Sequence, residues 1–486
     1  MGNILGSLQP AALWNHFEQI CKIPHPSKHE EAIRNHIVNW AKELKLETIV
    51  DEVGNVIVRK PATPGMENRK GIVLQGHIDM VPQKNNDTAH DFEKDPIIPW
   101  IDGEWVKAKG TTLGADNGIG VAAAMAVLEA KDLVHGQIEA LFTIDEETGM
   151  TGAFGLKGGL MTADILMNLD TEEEGDLCVG CAGGTNGNIK FNYSEESVPA
   201  GMQAFKITVK GLKGGHSGVD IHLERGNSNK ILNRILWHAN KNMGLRLASI
   251  DGGSLRNAIP RESMAIITLP ISNVENFQKY INEFTAIIIN EYKGVETDFT
   301  ISVESVSLPS FLIDQKTTFS FLNAVYATPN GVMRMSQDMK GLVETSTNLA
   351  IVKSKDKSID IMCLLRSSVD SAKEDLEQMI EGVYNLAGAV SVFDGKYPGW
   401  KPNMDSPILK EMISAYEKQF GTKPHIGAVH AGLECGLLGG VYKNWDMISF
   451  GPTICFPHSP DEKVNVPSVV KFWDFLVETL KNAPLK

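Results

Sequence analysis

The feature that most constrains this chain is a series of short apolar runs, each followed by a residue with a metal-binding side chain. The run 71–75 leads into His77, the run 138–144 leads into three consecutive acids, and the run 163–169 leads into Asp170. Apolar runs of this length between turn residues predict buried strands. In α/β sheets, sites gather outside the carboxyl ends of the strands, so these polar side chains are expected to lie together at one edge.

Each of these positions also has a simpler interpretation. A His-x-Asp sequence such as His77 and Asp79 is often a hydrogen-bonded turn, although the Asp can also hold the second ring nitrogen of a metal-binding His. The acid run 145–147 is normally a solvated sheet edge. After such a strand, it can instead supply one carboxylate as a metal ligand and its neighbour as a general base.

Two further candidate ligands lie outside these strands. Asp116 follows a Gly-rich loop and precedes the helical pattern 121–128, so it is either a helix N-cap or a carboxylate that bridges two cations. His458 is flanked by Pro457 and Pro460 in a rigid turn. Five candidate positions in this order make a dinuclear metal site the leading hypothesis.

Two other patterns are weaker. Gly118-x-Gly120-x-x-Ala123 matches a dinucleotide fingerprint, but the segment before it is polar rather than an apolar strand, so nucleotide binding is not expected. Cys178 and Cys181 form a single Cys-x-x-Cys pair. A zinc ribbon needs a second pair and a redox motif opens a helix, so a structural role is favoured.

The composition is that of an ordinary soluble globular chain, with 42% hydrophobic and 22% charged residues. Its 486 residues exceed the roughly 250–300 at which single cores stop growing, which predicts at least two domains. A net charge of −14 argues against a nucleic-acid partner. No secretory signal pattern and no stretch of about 18 apolar residues occur, so no membrane association is expected. The six cysteines are then expected to be reduced thiols in a cytoplasmic protein.

The strand and helix patterns predict an α/β fold with an inserted domain. Residues 1–186 alternate strands and helices in the manner of a mostly parallel sheet covered on both faces. The last candidate ligand comes only after a long segment, 187–397, whose ends lie near the Gly-rich turn clusters 183–187 and 394–400. Residues 398–486 are therefore expected to complete the first domain.

The inserted segment itself is expected to be α/β. The order strand, helix, two strands, helix runs twice in it, which suggests two related halves without a clear sequence repeat. The predicted strands are 205–209, 265–269, 299–303 and 359–364, and the predicted helices lie around 228–240, 274–291, 315–326 and 371–387.

Four segments together resemble one enzyme family. They are Gln-Gly-His-Ile-Asp-Met-Val at 75–81, Leu-Gly-Ala-Asp-Asn-Gly at 113–118, His-Ala-Gly-Leu-Glu-Cys-Gly at 430–436 and Pro-His-Ser-Pro at 457–460. The chain resembles, over essentially its whole length, the dinuclear-zinc exopeptidases of the aminoacylase and carboxypeptidase type. The resemblance implies a zinc-exopeptidase catalytic domain with an inserted α/β lid. At about 210 residues, the lid is similar to the double-sized lid of the dipeptidases in that family.

The resemblance also implies a metal-ligand set. His77 and Asp170 would hold one metal ion, Glu147 and His458 would hold the other, and Asp116 would bridge them. Imidazole and carboxylate ligands suit zinc, and also cobalt or manganese. Two divalent metal ions per subunit are therefore expected, with zinc first among these three.

Three catalytic residues follow from the same resemblance. Asp79 would orient the first His ligand, and Glu146 would be the general base that takes a proton from the attacking water. His216, in the Gly-rich turn 213–218, would stabilise the oxyanion. On its own, a His in a polar loop is more often a surface residue.

Three lid positions match substrate-binding residues of the family. Asn257 and Arg366 would bind the substrate, since Arg can grip a carboxylate with two parallel hydrogen bonds. Gly432 would let the substrate main chain approach closely. His430, two residues earlier, is a possible alternative ligand whose expected role is support of the turn.

The expected activity is hydrolysis of unblocked dipeptides, with a preference for a C-terminal His that includes β-alanyl-histidine. The lid is expected to close on the substrate. An N-acyl amino acid deacylase and a tripeptidase are alternatives within the family, and a non-catalytic peptide-binding protein is an alternative outside it. The resemblance suggests a homodimer, whereas a double-sized lid would also allow a self-sufficient monomer.

Overall fold

The computed structural model describes residues 4–486, which divide into two compact units. Unit 1 comprises the chain up to Gly180 together with Pro402–Ala428 and Leu433–Lys486. Unit 2 comprises Cys181–Lys401 and Val429–Gly432. The predicted domain bounds stay a prediction, since compact units need not coincide with domains.

The described chain contains strands of two to thirteen residues. In chain order they are β1 (Glu47–Val50), β2 (Val56–Lys60), β3 (Ile72–His77), β4 (Pro99–Asp102), β5 (Trp105–Ala108), β6 (Ile138–Thr143), β7 (Ile165–Asn168), β8 (Asp176–Cys181), β9 (Gly183–Asn192), β10 (Glu195–Glu196), β11 (Met202–Lys210), β12 (Gly215–His216), β13 (Arg246–Gly252), β14 (Ala258–Ile259), β15 (Ser263–Pro270), β16 (Thr300–Val306), β17 (Leu312–Ile313), β18 (Gly331–Met335), β19 (Val343–Lys355), β20 (Ser358–Ser367), β21 (Val390–Tyr397), β22 (His425–Val429), β23 (Asp446–Ser449), β24 (Ile454–Cys455) and β25 (Lys463–Asn465).

The helices are distributed over both units. In chain order they are α1 (Ala11–Cys21), α2 (Glu31–Glu43), α3 (Ala115–Glu129), α4 (Glu146–Gly149), α5 (Thr151–Gly155), α6 (Ser228–Met243), α7 (Val274–Tyr292), α8 (Gln315–Ala327), α9 (Asp370–Leu386), α10 (Pro407–Phe420), α11 (Glu434–Val441) and α12 (Val466–Lys481). Across residues 4–486, none of them is both long enough and apolar enough to cross a membrane.

Unit 1 is built around an eight-stranded sheet with the strand order β1-β2-β6-β3-β7-β23-β8-β22. The four central strands β6, β3, β7 and β23 run parallel to one another. The flanking strands β1, β2 and β8 run antiparallel to their neighbours. The prediction of a mostly parallel sheet therefore holds for the centre, and the flanks make the sheet mixed.

Helix α3 lies in the interior of unit 1. It is buried continuously from Val121 to Leu128 and packs against α1 and β3. A Cβ atom at Gly118 would lie 2.9 Å from the Phe17 ring, and one at Gly120 would lie 2.4 Å from the carbonyl oxygen of Leu169. These two glycines therefore permit close packing around α3.

Unit 2 contains a sheet with the order β16-β11-β15-β13-β19-β20-β9-β21, with β18 paired to β19. Its first four strands follow the chain order β11, α6, β13, β15, α7, β16. Its second four follow β9, α8, β19, β20, α9, β21. Each half is a β-α-β-β-α-β unit, and the two strand orders mirror each other across the β13–β19 pair. The predicted double α/β organisation is confirmed, with the first half inserted between β9 and α8 of the second.

The predicted helices and strands of the insertion are also confirmed, because each lies within or beside an observed element. Helix α6 begins at an N-cap, Asn227, whose side chain accepts a hydrogen bond from the Lys230 N–H at 3.1 Å. Its apolar residues recur at helical spacing and enter a core that also contains Phe277, Phe321 and Tyr384. The unit thus has its own hydrophobic core.

The predicted turn clusters at the ends of the insertion are wrong. Residues 183–187 lie in strand β9, and 394–397 form the end of β21. Two glycines of β9 admit a neighbouring segment: a Cβ atom at Gly184 would lie 2.6 Å from the Tyr397 ring, and one at Gly183 would lie 2.5 Å from the Gly399 backbone nitrogen. Glycine marks a close approach of another group here rather than a turn.

Gly253, beside the β13–β19 pair at the centre of the sheet, is expected to tolerate no side chain. Its φ is +75°, and a Cβ atom would lie 1.9 Å from the carbonyl oxygen of Ala350. Gly253→Ala should lower the free energy of unfolding by more than about 3 kcal/mol, measured from thermal unfolding by circular dichroism. The matched control is Gly331→Ala, with φ of +95° and open space around the Cβ position, which should lose only about 1–2 kcal/mol. Equal losses in both variants would contradict the steric argument.

Candidate functional site

His77 is the central side chain of the candidate site in unit 1. It ends β3, between the parallel strands β6 and β7, and is 1% exposed. Its Nδ1 lies 3.0 Å from the Asp79 carbonyl oxygen and 3.3 Å from Asp79 Oδ1. With Nδ1 directed at these acceptors, Nε2 is the atom that faces the other carboxylates.

Asp116 faces two histidines with its two carboxylate oxygens. Oδ1 lies 3.1 Å from His77 Nε2, and Oδ2 lies 3.2 Å from His458 Nε2. Its backbone is not helical, its side chain caps no N–H group, and the N-cap position of α3 is Gly114. Of the two interpretations of Asp116, the geometry favours the bridging carboxylate.

Each oxygen of Asp116 belongs to a separate group of three ligand atoms. The first group is His77, Asp116 and Asp170, with His77 Nε2 3.5 Å from Asp170 Oδ1. The second is Asp116, Glu147 and His458, with His458 Nε2 3.0 Å from Glu147 Oε2. The structure thus brings together all five residues predicted as metal ligands, in two triads that share one member.

The acid run 145–147 is not a solvated edge. Asp145 is 5% exposed, and its carboxylate accepts hydrogen bonds from the Thr148 and Thr151 hydroxyls. Glu146 and Glu147 open the short helix α4 and are half-buried. The run therefore turns inward from the end of β6, and its simpler interpretation is wrong.

Asp79 holds the start of α4 in place. Its Oδ1 accepts the Glu146 N–H at 3.0 Å, and its Oδ2 accepts the Glu147 N–H at 3.3 Å and the Ser27 hydroxyl at 2.8 Å. Burial opposes its ionisation, but the hydrogen bond from His77 and these donors outweigh burial and lower the pKa of Asp79 to about 2. Asp79 therefore contacts the first His ligand and both glutamates of the site.

Glu146 lies beside the triads without belonging to the shared set. One of its carboxylate oxygens is within 4.8 Å of ligand atoms of His77 and Glu147. Burial raises the pKa of Glu146 well above its ordinary value; His77 opposes this shift, and Asp170 adds to it. A carboxylate with a raised pKa is suited to accept and return a proton near neutral pH.

The donor set fits divalent cations. Glu147 Oε1 and Asp170 Oδ1 are buried and have no hydrogen-bond partner among residues 4–486. Buried polar atoms are normally hydrogen-bonded, so unpartnered oxygens directed into a cluster of acids indicate a cation. Hydrogen bonds with Asp116 and Glu147 raise the pKa of His458 to about 11, so the acids of the cluster favour a positive charge beside them. Imidazole and carboxylate ligands in this number suit zinc, cobalt or manganese.

Glu172 is a further carboxylate near this cluster that the sequence interpretation missed. Burial, followed by the charges of Asp116 and Asp170, raises the pKa of Glu172 to about 8. Its position two residues after Asp170 was the only available signal.

Glu434, in the resembled 430–436 segment, lies under the sheet edge of unit 1. Its Oε2 accepts hydrogen bonds from Gln75 Nε2 at 2.6 Å and Thr143 Oγ1 at 2.8 Å, and Gln75 in turn accepts one from Asn168 Nδ2 at 2.6 Å. Burial raises the pKa of Glu434 to about 7. These hydrogen bonds connect β3, β6 and β7 at their carboxyl ends.

Glu462 holds the loop that carries Asp116. Its carboxylate accepts four backbone N–H groups, from residues 113–116, at 2.7 to 3.2 Å. The side chain is 2% exposed, and burial raises its pKa to about 7 against these donors, which favour the ionised form. The sequence showed only an acid in a polar turn, where a solvated side chain is the usual outcome.

Glu462→Gln should therefore destabilise the loop. An amide nitrogen in place of one oxygen would face N–H donors, which should lower the free energy of unfolding by about 1–3 kcal/mol and weaken metal binding. Denaturant titration of the metal-free protein and zinc-binding calorimetry measure the two effects. The neighbouring exposed acid provides the matched control, Asp461→Asn. Identical behaviour of the two variants would show that Glu462 does not hold the loop.

In unit 2, His216 has a defined tautomer. Its Nδ1 accepts the backbone N–H groups of Gly218 at 3.2 Å and Val219 at 3.1 Å. Burial and the charge of Arg366 lower the pKa of His216, so the ring is neutral at pH 7. The proton of the neutral ring must then be on Nε2. His216 therefore presents an N–H donor, the form required of an oxyanion-stabilising residue.

Arg366 is a buried cation without a carboxylate partner. Arg366 is 5% exposed, and its Nε has no hydrogen-bond partner. No acid within residues 4–486 forms an ion pair with Arg366. Its Nη2 lies 3.5 Å from His216 Nε2. Because both atoms carry protons, this contact is two donors converging rather than a hydrogen bond. A buried positive charge in this state favours an anionic ligand.

The other predicted residues of unit 2 lie in the same neighbourhood. The Asn257 carbonyl oxygen accepts the Ser217 N–H at 2.8 Å, and the Asn257 residue is exposed. His430 Nε2 is 2.7 Å from the Ser346 hydroxyl, and burial lowers the pKa of His430 to about 3, which makes it a neutral structural residue of the turn. A Cβ atom at Gly432 would lie 3.1 Å from the Tyr397 ring, a contact that the sequence did not predict.

Comparisons with known proteins find relatives over almost the whole chain. The chain is 50% identical over 482 residues to the cytosol non-specific dipeptidase of Escherichia coli, covering 99% of both chains. Its structure is similar to a crystal structure of aminoacylhistidine dipeptidase from Vibrio alginolyticus, with a TM-score of 0.95, 51% identity, and coverage of 99% of this chain and 98% of that one. An aminopeptidase of Bacillus cereus has a TM-score of 0.57 and 17% identity, with 98% and 100% coverage, so it shares the fold.

A family model also matches most of the chain. The model describes the peptidase family M20/M25/M40, and the match covers residues 73–482. This range includes all five candidate ligands, and also His216 and Arg366 of unit 2. The chain belongs to peptidase family M20/M25/M40.

Proposed function

We propose that this protein is a metal-dependent dipeptidase that hydrolyses unblocked dipeptides. The observation that carries the proposal is the shared carboxylate, Asp116, with one oxygen directed at each of two His-containing triads. Two proteins that are about half identical over the full length are named dipeptidases. A centre of this kind is suited to hydrolysis of a peptide bond.

The five residues of the two triads are proposed to bind two divalent cations. Zinc is the first candidate, and cobalt or manganese are the alternatives. When bound, such cations supply an activated water and a polarised carbonyl group. Residues of the chain transfer the proton and position the ligands. Glu146 accepts the proton of the attacking water and returns it to the leaving amine, because its carboxylate accepts no hydrogen bond from residues 4–486 and its pKa is raised. Asp79 keeps His77 and the start of α4 in position.

Two residues of unit 2 are proposed to bind the substrate, one at the developing oxyanion and one at the free carboxylate. His216 donates its Nε2 proton to the developing oxyanion, a role that the hydrogen bonds to Nδ1 support. Arg366 binds the free carboxylate of the substrate, because it is buried and lacks an acidic partner. Asn257 and Gly432 stay predictions as substrate-binding residues. A carboxylate clamp of this kind selects substrates with a free C-terminus.

The preferred substrates are proposed to be Xaa-His dipeptides, including β-alanyl-histidine. The Vibrio relative is named for aminoacylhistidine substrates, whereas the Escherichia coli relative is named non-specific, so a preference rather than an exclusive specificity is proposed. The name of the latter also supports a cytosolic location. The homodimer stays a prediction, which light scattering on the purified protein tests.

The test is an assay of the metal-stripped protein reloaded with zinc, cobalt or manganese. The substrates are β-alanyl-histidine, Leu-His, Leu-Gly, an N-acetyl amino acid and a tripeptide. We expect metal-dependent cleavage confined to the unblocked dipeptides, with the two His-containing dipeptides cleaved fastest. Cleavage of the acetylated substrate would identify a deacylase, and cleavage of the tripeptide alone would identify a tripeptidase. No turnover with any of the three metals would contradict the proposal.

A further inference from the structure

Tyr397, the last residue of β21, contacts the guanidinium group of Arg366. Arg366 Nη1 donates a hydrogen bond to the Tyr397 hydroxyl oxygen at 3.3 Å. Arg366 is otherwise held by few polar groups: its Nη2 faces a second donor, His216 Nε2, and its Nε has no partner. The phenol is thus the hydrogen-bond acceptor that the structure offers to this guanidinium, and it fixes the side of the group that carries Nη1.

The ring of Tyr397 is seated between two glycines from different segments. A Cβ atom at Gly184, on β9, would lie 2.6 Å from the ring and from the hydroxyl oxygen. A Cβ atom at Gly432 would lie 3.1 Å from the ring. Real Cβ atoms essentially never approach to 2.6 Å, so position 184 leaves room for this ring only as a glycine, whereas a side chain at position 432 would be tightly packed against the ring.

The backbone at Tyr397 is also held. Its carbonyl oxygen accepts a hydrogen bond from Lys373 Nζ at 2.5 Å, and Lys373 is 4% exposed. The same ammonium group pairs with Asp370 Oδ1 at 2.9 Å, and that oxygen accepts the Gly399 N–H at 3.1 Å. A side chain with its ring and its backbone both held loses little entropy when a ligand binds to its hydroxyl group.

The hydroxyl proton of Tyr397 completes a set of donors. Because the oxygen accepts from Arg366, the O–H group can donate elsewhere, and it has no acceptor among residues 4–486. Two kinds of donor are therefore available to a ligand of Arg366, beside the His216 donor that serves the oxyanion: the guanidinium N–H groups of Arg366 and the O–H of Tyr397. A set of donors around a buried positive charge matches a carboxylate, which only accepts hydrogen bonds.

We infer that Tyr397 determines selectivity for a free substrate carboxylate, by holding the Arg366 guanidinium and by donating its own hydroxyl proton to the bound carboxylate. This inference rests on the proposed function and names a further residue of the same site. The glycine at 184 then admits the ring that carries this hydroxyl. A Phe at position 397 would keep the ring in its seat and remove only the donor and acceptor.

The test compares Tyr397→Phe with the wild type on Leu-His and on the C-terminal amide of the same dipeptide. For Leu-His, KM should rise about tenfold with kcat changed by less than about threefold, since one hydrogen bond to a charged group is lost. For the amide, the measured quantity is its inhibition constant against Leu-His, which exists whether or not the amide is cleaved. That constant should be unchanged, because the amide never had the carboxylate that Tyr397 selects.

The matched control is Tyr384→Phe, in the same unit. Tyr384 is fully buried in the core, and its hydroxyl oxygen accepts a hydrogen bond from the Thr328 hydroxyl at 2.9 Å. This variant should shift the thermal midpoint and leave both constants at wild-type values. The thermal midpoint of Tyr397→Phe should lie close to that of the wild type, which would show that the fold of this variant is intact.

Each other outcome overturns the inference. A KM for Leu-His within twofold of wild type would show that the hydroxyl does not act on the carboxylate. Equal losses for Leu-His and its amide would show that Tyr397 serves only the packing of the site. If the wild type itself cleaves no dipeptide, the proposed function fails together with the inference, whereas an active wild type with an unaffected variant rejects the inference alone.

Discussion

Replacing Glu146 with glutamine is expected to lower kcat for dipeptide hydrolysis by about 10²- to 10⁴-fold, the usual contribution of a general base. The side chain keeps its size and loses the ability to take a proton. Its backbone N–H, which Asp79 accepts, is unaffected by the change. The expected signature is a fall in kcat with little change in KM, measured by steady-state kinetics on β-alanyl-histidine with the zinc-loaded protein.

The metal content separates this role from that of a ligand. Glu146→Gln should retain two zinc ions per chain by elemental analysis, because Glu146 is outside the two triads that share Asp116. Glu173→Gln, at an exposed acid in the loop after β7, is the matched control and should retain wild-type kcat. A rate for Glu146→Gln within tenfold of wild type, with both ions present, would remove Glu146 as the base.

Replacing Asp116 with alanine is expected to have a larger effect, because this residue is shared by both triads. Its two oxygens face His77 and His458 at 3.1 and 3.2 Å. Loss of both should reduce the zinc content from two ions to less than one per chain and lower kcat/KM by at least about 10⁴-fold. Elemental analysis after dialysis and kinetics at saturating zinc measure the two effects.

The control for Asp116→Ala is Asp132→Ala, an exposed acid after helix α3. That variant should keep both ions and full activity. Retention of two zinc ions by Asp116→Ala would show that the shared carboxylate does not bridge the centre. Retention of one tightly bound ion with residual activity would show that one triad is sufficient for catalysis.

Three of the unit 1 ligands, His77, Glu147 and Asp170, could be predicted from the sequence because each comes at or after the end of a short apolar run that forms a buried strand. His77 and Asp170 come at the ends of β3 and β7, which are neighbours in the sheet, and Glu147 comes after β6 on the other side of β3. Parallel strands bring their carboxyl ends to one edge, so sequence order and strand pattern suffice to group these residues. The structure adds the distances and places the two oxygens of Asp116, which the resemblance had implied as the bridging ligand, near His77 and His458.

The residues that support the ligands could not be predicted in the same way. Glu462 lies in a polar, acidic turn whose local sequence is typical of solvent-exposed residues, yet it is buried because a distant loop supplies four N–H groups. Asp145 was given no role by the sequence, and its carboxylate is buried and accepts hydrogen bonds from Thr148 and Thr151. Burial of a polar side chain depends on partners that are remote in sequence or hidden by a tight turn.

The organisation of unit 2 shows a similar division. Local periodicity located its four long helices and four of the nine strands of its main sheet, because amphipathic patterns depend on neighbours in the chain. The start of β9 was mistaken for a turn, because Gly183 and Gly184 are required by the close approach of residues 397–399, Gly184 by the ring of Tyr397, rather than by backbone conformation. Similarly, the insertion of one half between β9 and α8 is a matter of long-range pairing, which no local pattern encodes.

The most direct test of a dinuclear centre is anomalous diffraction at the zinc absorption edge from crystals of the zinc-loaded protein. Two peaks per chain are expected. One should be coordinated by His77 and Asp170, the other by Glu147 and His458, and Asp116 should contact both. A single peak, or two peaks without a shared Asp116 ligand, would rule out a dinuclear centre bridged by Asp116.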